Sequence, residues 1–364
     1  MQVLHQGAGA GSVTSTLHLS LGLAAAGVPV RFVCPPRCEV EEQARMAGLE
    51  VHPVSLLAGK RRANGAALAA ILERHPVELI NSQSARDREA LTWLARRGRL
   101  RTPLVITRRQ VPRTFWLENW LASRAATRVI TVSRAVAEAL RRRGTPARKL
   151  VVIHNGLVTA RVDRPVSPDA LAQWRDRIGW SAHQHTIGIV ARPKDQAVVL
   201  MALRWVRTPV RLVLAGVNPA GPLGELAGRV PAPHAAVCLP FATDVRPLYD
   251  LLELVLLPSR KEGLSQSLLE AMALGKPVIA SAAAGNLELV TSEVDGLLVP
   301  PLDARAWAAS IERVLANPGW SRRLGAAGRR TARETFSLER TVDQTVRLYR
   351  SLTGQGVVAS PPAP

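Results

Sequence analysis

Cysteine, aromatic residues and acidic residues are all scarce in this chain of 364 residues. The three cysteines, Cys34, Cys38 and Cys238, form no C-x-x-C pair, which excludes a disulfide framework or a cysteine zinc site and favours a reducing compartment. Aromatic side chains make up only 4%, so stacking platforms for single-stranded nucleic acid are few. No D-x-D triplet occurs, and the histidines show no metal-ligand spacing. These patterns predict no bound metal.

The chain also lacks long apolar runs, and its first 30 residues lack charged side chains. No stretch reaches the roughly 18 to 20 apolar residues that a membrane span needs. Residues 1–30 contain no Lys, Arg, Asp or Glu, whereas a secretory signal would begin with a basic region, and polar residues interrupt the apolar run. We therefore expect a cytoplasmic protein, whose only contact with a membrane would be peripheral, on the inner face of the plasma membrane.

Positive charge dominates the chain, with 48 basic residues against 28 acidic ones. The excess is +14 before residue 160 and +6 after it. Such a surface attracts polyanions, anionic lipid headgroups or phosphorylated substrates. Short basic runs at 96–101 and 141–143 could dock on an anionic membrane surface. A composition rich in arginine and alanine is equally what a GC-rich genome produces, so both interpretations stay open.

Apolar runs alternate with helix-like segments along the whole chain. The opening is typical of a strand at 3–5, a glycine turn at 7–11 and a helix that ends at Gly27. Further strands are predicted at 30–34, 79–80, 104–106, 129–132, 151–153, 187–190, 211–214, 254–257, 277–280 and 296–299. This alternation predicts an α/β protein with two doubly wound parallel-sheet domains. Ligands of such sheets bind at the carboxyl ends of the strands, here in a cleft between the domains.

A stretch rich in Pro, Asp and Arg at 158–169 lacks a sustained apolar period, as is typical of an interdomain linker. We therefore predict an N-terminal domain at 1–162 and a C-terminal domain at 163–337. The segment 338–354 is predicted as a helix that could pack back on the N-terminal domain, and 355–364 as a disordered tail.

The most informative stretch is 256–277, in which a strand ends in a loop with Glu262 and a helix with Glu270 follows. Free N–H groups and the dipole at the start of that helix favour an anion. Glu262 can accept hydrogen bonds from sugar hydroxyls, and Glu270 could accept two from a ribose diol. The alternative is purely structural, because Ser267 and Glu270 have the spacing of a capping box and 275–277 that of a helix stop.

This stretch resembles the family-4 retaining glycosyltransferases, which have the GT-B architecture of two Rossmann-like doubly wound parallel-sheet domains facing across a cleft. The shared signature is a pair of glutamates separated by seven residues, matched by Glu262 and Glu270. Further family-like segments follow at 257–259, 270–273, 275–280, 288–290 and 295–301. Segments 129–133 and 153–156 also fit, so the resemblance covers most of the chain.

The resemblance implies roles for the matched residues. Glu270 would bind the ribose of a nucleotide-diphosphate sugar, and Glu262 would bind hydroxyls of the donor sugar. The domain 1–162 would be the acceptor side, and 163–337 would bind the nucleotide sugar without a metal or other cofactor. Donor contacts along the loop and the helix start are implied for Gly263, Leu264, Ser265, Gln266 and Ser267.

Sugar transfer develops negative charge on the leaving nucleoside diphosphate, which must meet preorganised positive groups. Arg192 and Lys194, just after the strand at 187–190, are the candidates and complete a catalytic set with Glu262. The family usually has several residues between this arginine and lysine, whereas here only Pro193 separates them. A pair of solvated loop charges is the alternative.

Glycines near the start of the chain allow two interpretations. The resemblance places Ala10 and Gly11 where the family has two glycines bordering the donor diphosphate and the acceptor. A dinucleotide-dependent oxidoreductase could also use such a loop, but it would need an acid at the end of the second strand. The sequence at 34–36 is Cys-Pro-Pro.

A cluster of arginines follows the strand at 104–106. Arg109 occupies a position where related enzymes often have a histidine that borders the reacting sugar. Arginine cannot act as a base near neutral pH but can clamp a phosphate or carboxylate. We expect Arg109, with Arg108 and Arg113, to contact an anionic part of the acceptor or donor sugar.

These residues and the resemblance predict a retaining, metal-independent glycosyltransferase. It would move a sugar from a nucleotide-diphosphate sugar to a saccharide or lipid-linked acceptor, in cell-envelope polysaccharide or lipopolysaccharide synthesis. One alternative is a nucleotide-sugar epimerase of the same architecture, which would form product without an acceptor. The other is a basic polyanion-binding protein without enzymatic activity. No nucleic-acid partner is expected, since the chain contains no recognised nucleic-acid module.

Overall fold

The structure is a computed structural model that describes residues 1–7, 11–111 and 116–354. The tail predicted at 355–364 and the candidate residues Ala10 and Arg113 lie outside the described residues. Within the described ranges, no helix is both long and apolar enough to cross a bilayer.

The described residues contain thirteen β-strands in two parallel sheets. The strands are β1 Gln2–Val3, β2 Arg31–Cys34, β3 Glu50–Pro53, β4 Ile80–Ser82, β5 Leu104–Arg108, β6 Arg128–Thr131, β7 Leu150–Val152, β8 His185–Val190, β9 Val210–Ala215, β10 Ala235–Leu239, β11 Leu254–Leu257, β12 Val278–Ser281 and β13 Leu297–Val299. The first sheet has the order β3-β2-β1-β4-β5-β6-β7 and the second β10-β9-β8-β11-β12-β13.

Helices separate nearly all successive strands, as parallel pairing requires. Those in the described part of the chain are α1 Gly11–Ala25, α2 Glu39–Met46, α3 Arg61–Arg74, α4 Ala85–Arg96, α5 Trp116–Ala125, α6 Arg134–Arg141, α7 Thr159–Asp163, α8 Pro168–Ile178, α9 Ala197–Ala202, α10 Pro222–Ala227, α11 Arg246–Leu251, α12 Gln266–Ala273, α13 Asn286–Leu289, α14 Ala304–Leu315, α15 Pro318–Arg330 and α16 Leu338–Thr353.

Central strands form where the sequence gives short, continuous apolar runs, because helices cover both faces of a parallel sheet. β11, with the sequence Leu-Val-Leu-Leu, is buried along its whole length. The sequence did not predict β3 and β10, each of which lies at one edge of its sheet. Each has a partly exposed pattern, and β3 ends in a proline, so the apolar signal is weak.

The chain divides into two compact units, Met1–Gly156 with Leu338–Pro364, and Leu157–Ser337. This division falls before the predicted boundary at 162. Residues 158–169 contain α7 and the start of α8 instead of an unstructured linker. Leu157 bridges to Ser337, and Val162 is buried within the second unit, so the stretch is part of that unit.

Helix α16 belongs to the first unit and packs on α1. A Cβ atom at Gly22 would lie 2.4 Å from Val342 Cγ2, so the close contact of the two helices requires glycine there. The buried hydroxyl of Tyr349 accepts hydrogen bonds from Gln2 Nε2 at 3.1 Å and Asn81 Nδ2 at 2.6 Å. These polar contacts fix α16 against strands β1 and β4.

In each sheet the strand order reverses once near the middle, between β1 and β4 in the first and between β8 and β11 in the second. Loops that leave the carboxyl ends of two such strands turn to opposite sides and leave a crevice for ligands. The predicted site residues follow β8 and β11 in the second unit, and lie after β1 and at the end of β5 in the first.

Candidate functional site

The loop after β11 leads into α12 through a capped helix start. Ser265 is the N-cap, and its hydroxyl accepts a hydrogen bond from the Leu268 amide at 3.3 Å. The capping box considered for Ser267 and Glu270 is therefore wrong, because the helix begins two residues earlier and Glu270 has other partners. The predicted helix stop is confirmed, since Gly275 has a φ of 72° and its amide donates to the Met272 carbonyl.

Glu262 and Lys194 meet at this loop. The Lys194 ammonium donates to Glu262 Oε1, and the Glu262 side chain is only 11% exposed. Burial lowers the pKa of Lys194 to about 8, and the Asp195 carboxylate opposes that shift. At neutral pH the lysine therefore carries a proton and compensates the charge of Glu262. Two predicted catalytic residues are thus in direct contact.

The short loop that carries Lys194 is held by two residues that sequence reasoning missed. Gln196 is buried; its Nε2 donates to the Arg192 carbonyl at 2.7 Å, and its Oε1 accepts from the Lys194 amide. Asp195 accepts from the Arg260 amide at 3.0 Å and from the Arg260 guanidinium at 3.0 and 3.2 Å. The Gln196 bonds fix the loop after β8, and the Asp195 bonds tie that loop to the loop after β11.

Arg192 lies on the same loop but is not part of the Lys194–Glu262 contact. Its side chain is exposed, and it makes no hydrogen bond or ion pair with the residues that the structure describes. The guanidinium can therefore reach an external anion beside Lys194 without first breaking a protein contact.

Glu270 lies on α12 beside two further residues that no motif indicated. The Tyr249 hydroxyl is 3.0 Å from the Ser267 carbonyl and 3.4 Å from Glu270 Oε2. Arg161 Nη2 is 3.8 Å from Glu270 Oε1. Burial raises the pKa of Glu270, while Arg161 and Tyr249 act in the opposite direction. Oε2 of Glu270 thus faces the neutral Tyr249 hydroxyl, and Oε1 faces the Arg161 guanidinium.

A close backbone contact supports the Glu262 loop from behind. The Gly285 amide donates to the Glu262 carbonyl at 3.2 Å, and a Cβ atom at position 285 would lie 1.7 Å from the Gly263 carbonyl oxygen. Asn286 is fully buried, and its Nδ2 donates to the carbonyls of Ser281 at 3.1 Å and Ser259 at 3.4 Å. The donor-side residues Leu264 and Ser265 are buried, whereas Gln266 and Ser267 are partly exposed at the helix start.

In the first unit, Asp87 organises the loops that follow β1 and β4. Its fully buried carboxylate accepts from the Ser82 hydroxyl at 2.7 Å and from the amides of Gln83 and Ser84 at 2.8 and 2.9 Å. His5 Nδ1 is 3.3 Å from the same carboxylate. This network fixes Gln83 at the point where the strand order reverses.

The predicted arginines of the first unit have different surroundings. Arg108 is buried and donates to Asn119 Oδ1 at 3.0 Å, whereas Arg109 donates to Gln83 Oε1 at 2.6 Å. Burial lowers the pKa of Arg108 to about 9 and of Arg109 to about 10, so both stay charged at neutral pH. Arg109 Nε is buried and has no partner among the described residues. Gly11 is the first residue of α1 in this unit.

Comparison with known proteins shows the family and the fold of the chain. A model of the group 1 glycosyl transferases matches residues 184–317, and one of glycosyltransferase family 4 matches 9–161. Among solved structures, that of Anabaena HepE in complex with UDP-glucose has a TM-score of 0.82 at 20% identity and covers 96% of this chain and 98% of its own. WaaG, a glycosyltransferase involved in lipopolysaccharide biosynthesis, has a TM-score of 0.71 at 16% identity, covering 97% and 99%. The fold is therefore that of the GT-B glycosyltransferases.

A curated relative, the D-inositol 3-phosphate glycosyltransferase of Mycobacterium marinum, is 30% identical over 288 residues, which are 72% of this chain and 61% of the relative. For the first three curated relatives, the match spans 62%, 65% and 46% of their own lengths. The chain belongs to glycosyltransferase family 4.

Proposed function

We propose that the protein is a retaining glycosyltransferase that takes a sugar from a nucleotide-diphosphate sugar. The observation that carries this proposal is the contact between Lys194 and Glu262, next to the Ser265-capped start of the helix that bears Glu270. Acidic acceptors for hydroxyls, a cation and free helix N–H groups are what a sugar nucleotide requires. HepE was solved with UDP-glucose, which makes UDP-glucose the first donor to test.

In this proposal Glu270 binds the ribose and Glu262 binds hydroxyls of the donor sugar. The donor-side residues at 263–267 contact the sugar and the diphosphate, and Gly11 is proposed as a further donor-binding residue. Glu270 suits the ribose because Tyr249 and Arg161 hold its carboxylate in place while leaving it partly exposed, at 18%. The hydroxyl of Tyr249 also fixes the backbone of the helix start through Ser267.

The reaction proposed here is a front-face displacement. The acceptor hydroxyl oxygen bonds to the anomeric carbon, the bond from that carbon to the phosphate oxygen breaks, and the hydroxyl proton passes to the departing phosphate. Negative charge grows on the diphosphate, where Lys194, Arg192 and the N–H groups of α12 stabilise it. These protein groups supply the positive charge, so we propose that no metal ion is required.

The first unit is proposed to bind the acceptor, with Arg109 and the residues at 10, 108 and 113 on that side. The relatives named D-inositol 3-phosphate glycosyltransferases act on a phosphorylated acceptor by their name. Arg109 stays charged near neutral pH and holds Gln83 through Nη1, and its guanidinium can clamp an anion, which supports an acceptor that carries a phosphate or carboxylate. A saccharide or lipid-linked acceptor of the cell envelope fits this chemistry, and WaaG is a precedent by its role in lipopolysaccharide biosynthesis.

A thermal-shift panel of UDP, GDP and ADP and their sugars tests donor binding, because a ligand that binds the folded state raises its melting temperature. We expect one nucleotide to stabilise the wild type, and Glu270→Gln to reduce that stabilisation. Glu225→Gln, an exposed glutamate on α10, is the matched control and should leave it unchanged.

Donor turnover then separates the candidate functions. Transfer to an acceptor that disappears in Glu262→Gln supports the proposal, whereas an altered sugar nucleotide formed without acceptor would indicate an epimerase. Binding of polyanions with no affinity for any nucleoside diphosphate would overturn both. The configuration of the product at the anomeric carbon, read by NMR, decides between retention and inversion.

A further inference from the structure

A group of three potential metal ligands lies in the first unit, away from the residues assigned to donor and acceptor. Glu50 and His52 are on β3, the outer strand of the first sheet, and His75 follows the end of α3. Glu50 and His52 are two residues apart on one strand, so their side chains leave the same face. Val51, between them, points into the core and fixes that orientation.

No sequence motif indicated this group, because 23 positions separate His52 from His75. The end of α3 brings His75 beside Glu50, the first residue of β3. Arg31, which pairs with Glu50 across β2 and β3, also donates to the Pro76 carbonyl at 2.6 Å. One guanidinium thus joins the residue after His75 to the strand with Glu50 and His52.

The distances suit a single small cation. Glu50 Oε1 is 2.9 Å from His52 Nε2 and 3.7 Å from His75 Nδ1, and all three ligand atoms lie within 4.8 Å of one another. Ligands bound tetrahedrally to one zinc ion at about 2.0 to 2.1 Å lie about 3.4 Å apart. The two measured separations lie on either side of that value, so binding needs only small side-chain movements.

The chemistry of the group also selects the ion. Two imidazoles and one carboxylate are ligands of zinc and neighbouring transition metals, whereas magnesium and calcium prefer oxygen ligands alone. Both histidine nitrogens are directed at one carboxylate oxygen, and the two rings lie with centroids 4.2 Å apart. A cation placed between these three atoms could accept a lone pair from each of them.

We infer that Glu50, His52 and His75 form a binding site for a zinc-like divalent transition-metal ion, with water in the remaining positions. Arg31 Nε lies 3.0 Å from both oxygens of Glu50 and can keep Oε2 while Oε1 binds the ion. Its positive charge lowers the affinity below that of a closed four-ligand site. The bound ion joins the outer strand β3 to the end of α3, so it stabilises the edge of the sheet.

The test uses the full-length chain freed of metal with a chelator and titrated with ZnCl2 by calorimetry, with melting temperature as a second readout. The wild type should bind one ion per chain and melt at a higher temperature with zinc. Loss of a residue that merely hydrogen-bonds to a metal ligand lowers metal affinity roughly 10- to 100-fold. His52→Gln and His75→Gln each remove a ligand itself, so each should lower the zinc affinity by at least that factor. Circular dichroism checks that both variants are folded.

The control is His185→Gln, which removes a histidine bonded to a carboxylate, Glu253, at 2.6 Å but without a third ligand. It should bind zinc as the wild type does. The inference is overturned if the wild type shows no saturable zinc binding, if the variant with both His52→Gln and His75→Gln binds undiminished, or if MgCl2 raises the melting temperature as much as ZnCl2. None of these readouts depends on glycosyl transfer.

Discussion

The hydroxyl of Tyr249 lies between the carbonyl of Ser267, at 3.0 Å, and the carboxylate of Glu270, at 3.4 Å. Tyr249 is buried on α11, and it reaches α12 from a different segment of the second unit. The residue thus supports the proposed ribose ligand and the proposed phosphate-binding helix start with one polar atom. In the proposed function, Tyr249 is a positioning residue for the donor.

Tyr249→Phe should therefore weaken donor binding more than it slows the transfer step. A buried hydrogen bond contributes about 0.5 to 1.5 kcal/mol, so we expect the donor KM to rise roughly two- to tenfold. Steady-state kinetics with the donor identified by thermal shift measures this. Tyr349→Phe removes the chain's other tyrosine hydroxyl, also buried and hydrogen-bonded, and should lower stability without changing the donor KM. Equal KM changes in the two variants would contradict the assignment.

The Lys194–Glu262 contact predicts how activity depends on pH. Burial lowers the pKa of Lys194 to about 8, so the ammonium loses its proton as the pH rises through that value. Transfer that needs this positive charge should then decline above about pH 8. Lys194→Arg keeps the charge to higher pH, because the ordinary pKa of a guanidinium is higher than that of an ammonium, and should move the decline to higher pH. Lys261→Met, at an exposed neighbour, should leave the profile unchanged.

The lowered pKa of Asp87 predicts how the free energy of unfolding of the first unit depends on pH in the acid range. Burial by itself would raise the pKa of its carboxyl, but hydrogen bonds from His5, Ser84 and Ser82 outweigh this and lower the pKa. Such a carboxylate contributes stability that is present above its unfolded pKa of about 3.9 and is lost as the pH falls through the lower folded value. The urea midpoint of Asp87→Asn should be lower than that of wild type at pH 7 and vary less below pH 4. Asp176→Asn, on α8, should behave as wild type.

The position and charge of Arg109 predict that the acceptor carries a negatively charged group. Charged hydrogen bonds contribute about 1.5 to 3 kcal/mol, so Arg109→Ala should raise the KM of a phosphorylated acceptor roughly 10- to 150-fold while the donor KM stays constant. D-Inositol 3-phosphate is the first probe. Arg101→Ala, at an exposed position of the same unit, should have no effect. A KM that stays unchanged in Arg109→Ala would remove this residue from the acceptor site.

Sequence patterns predicted the two sheets because central parallel strands must be apolar on both faces, as β9 and β11 are. An edge strand lacks that requirement, and β3 and β10, whose residues are mostly partly exposed, were missed, whereas the apolar edge strands β7 and β13 were predicted. The pair Glu262 and Glu270 could be found because both lie on one loop and helix with a family spacing. Tyr249 and Arg161 could not, because the fold alone brings them to Glu270. His52 and His75 were missed for the same reason, because the fold alone brings them to Glu50.

The basic surface of the first unit predicts binding to anionic membranes. Arg61, Arg96, Arg97 and Trp93 line a cavity of about 160 Å³, and the run from Arg96 to Arg101 is exposed. Each basic residue near an anionic surface contributes about 1 kcal/mol. Reversing Arg96, Arg97, Arg99 and Arg101 to Glu should therefore abolish sedimentation with vesicles that contain phosphatidylserine. The matched control reverses four exposed arginines of α15 in the second unit, Arg322, Arg323, Arg329 and Arg330. If both variants lost sedimentation equally, the net charge of the protein, and not this surface, would determine membrane binding. Sedimentation of the wild type with neutral vesicles would contradict an electrostatic attraction.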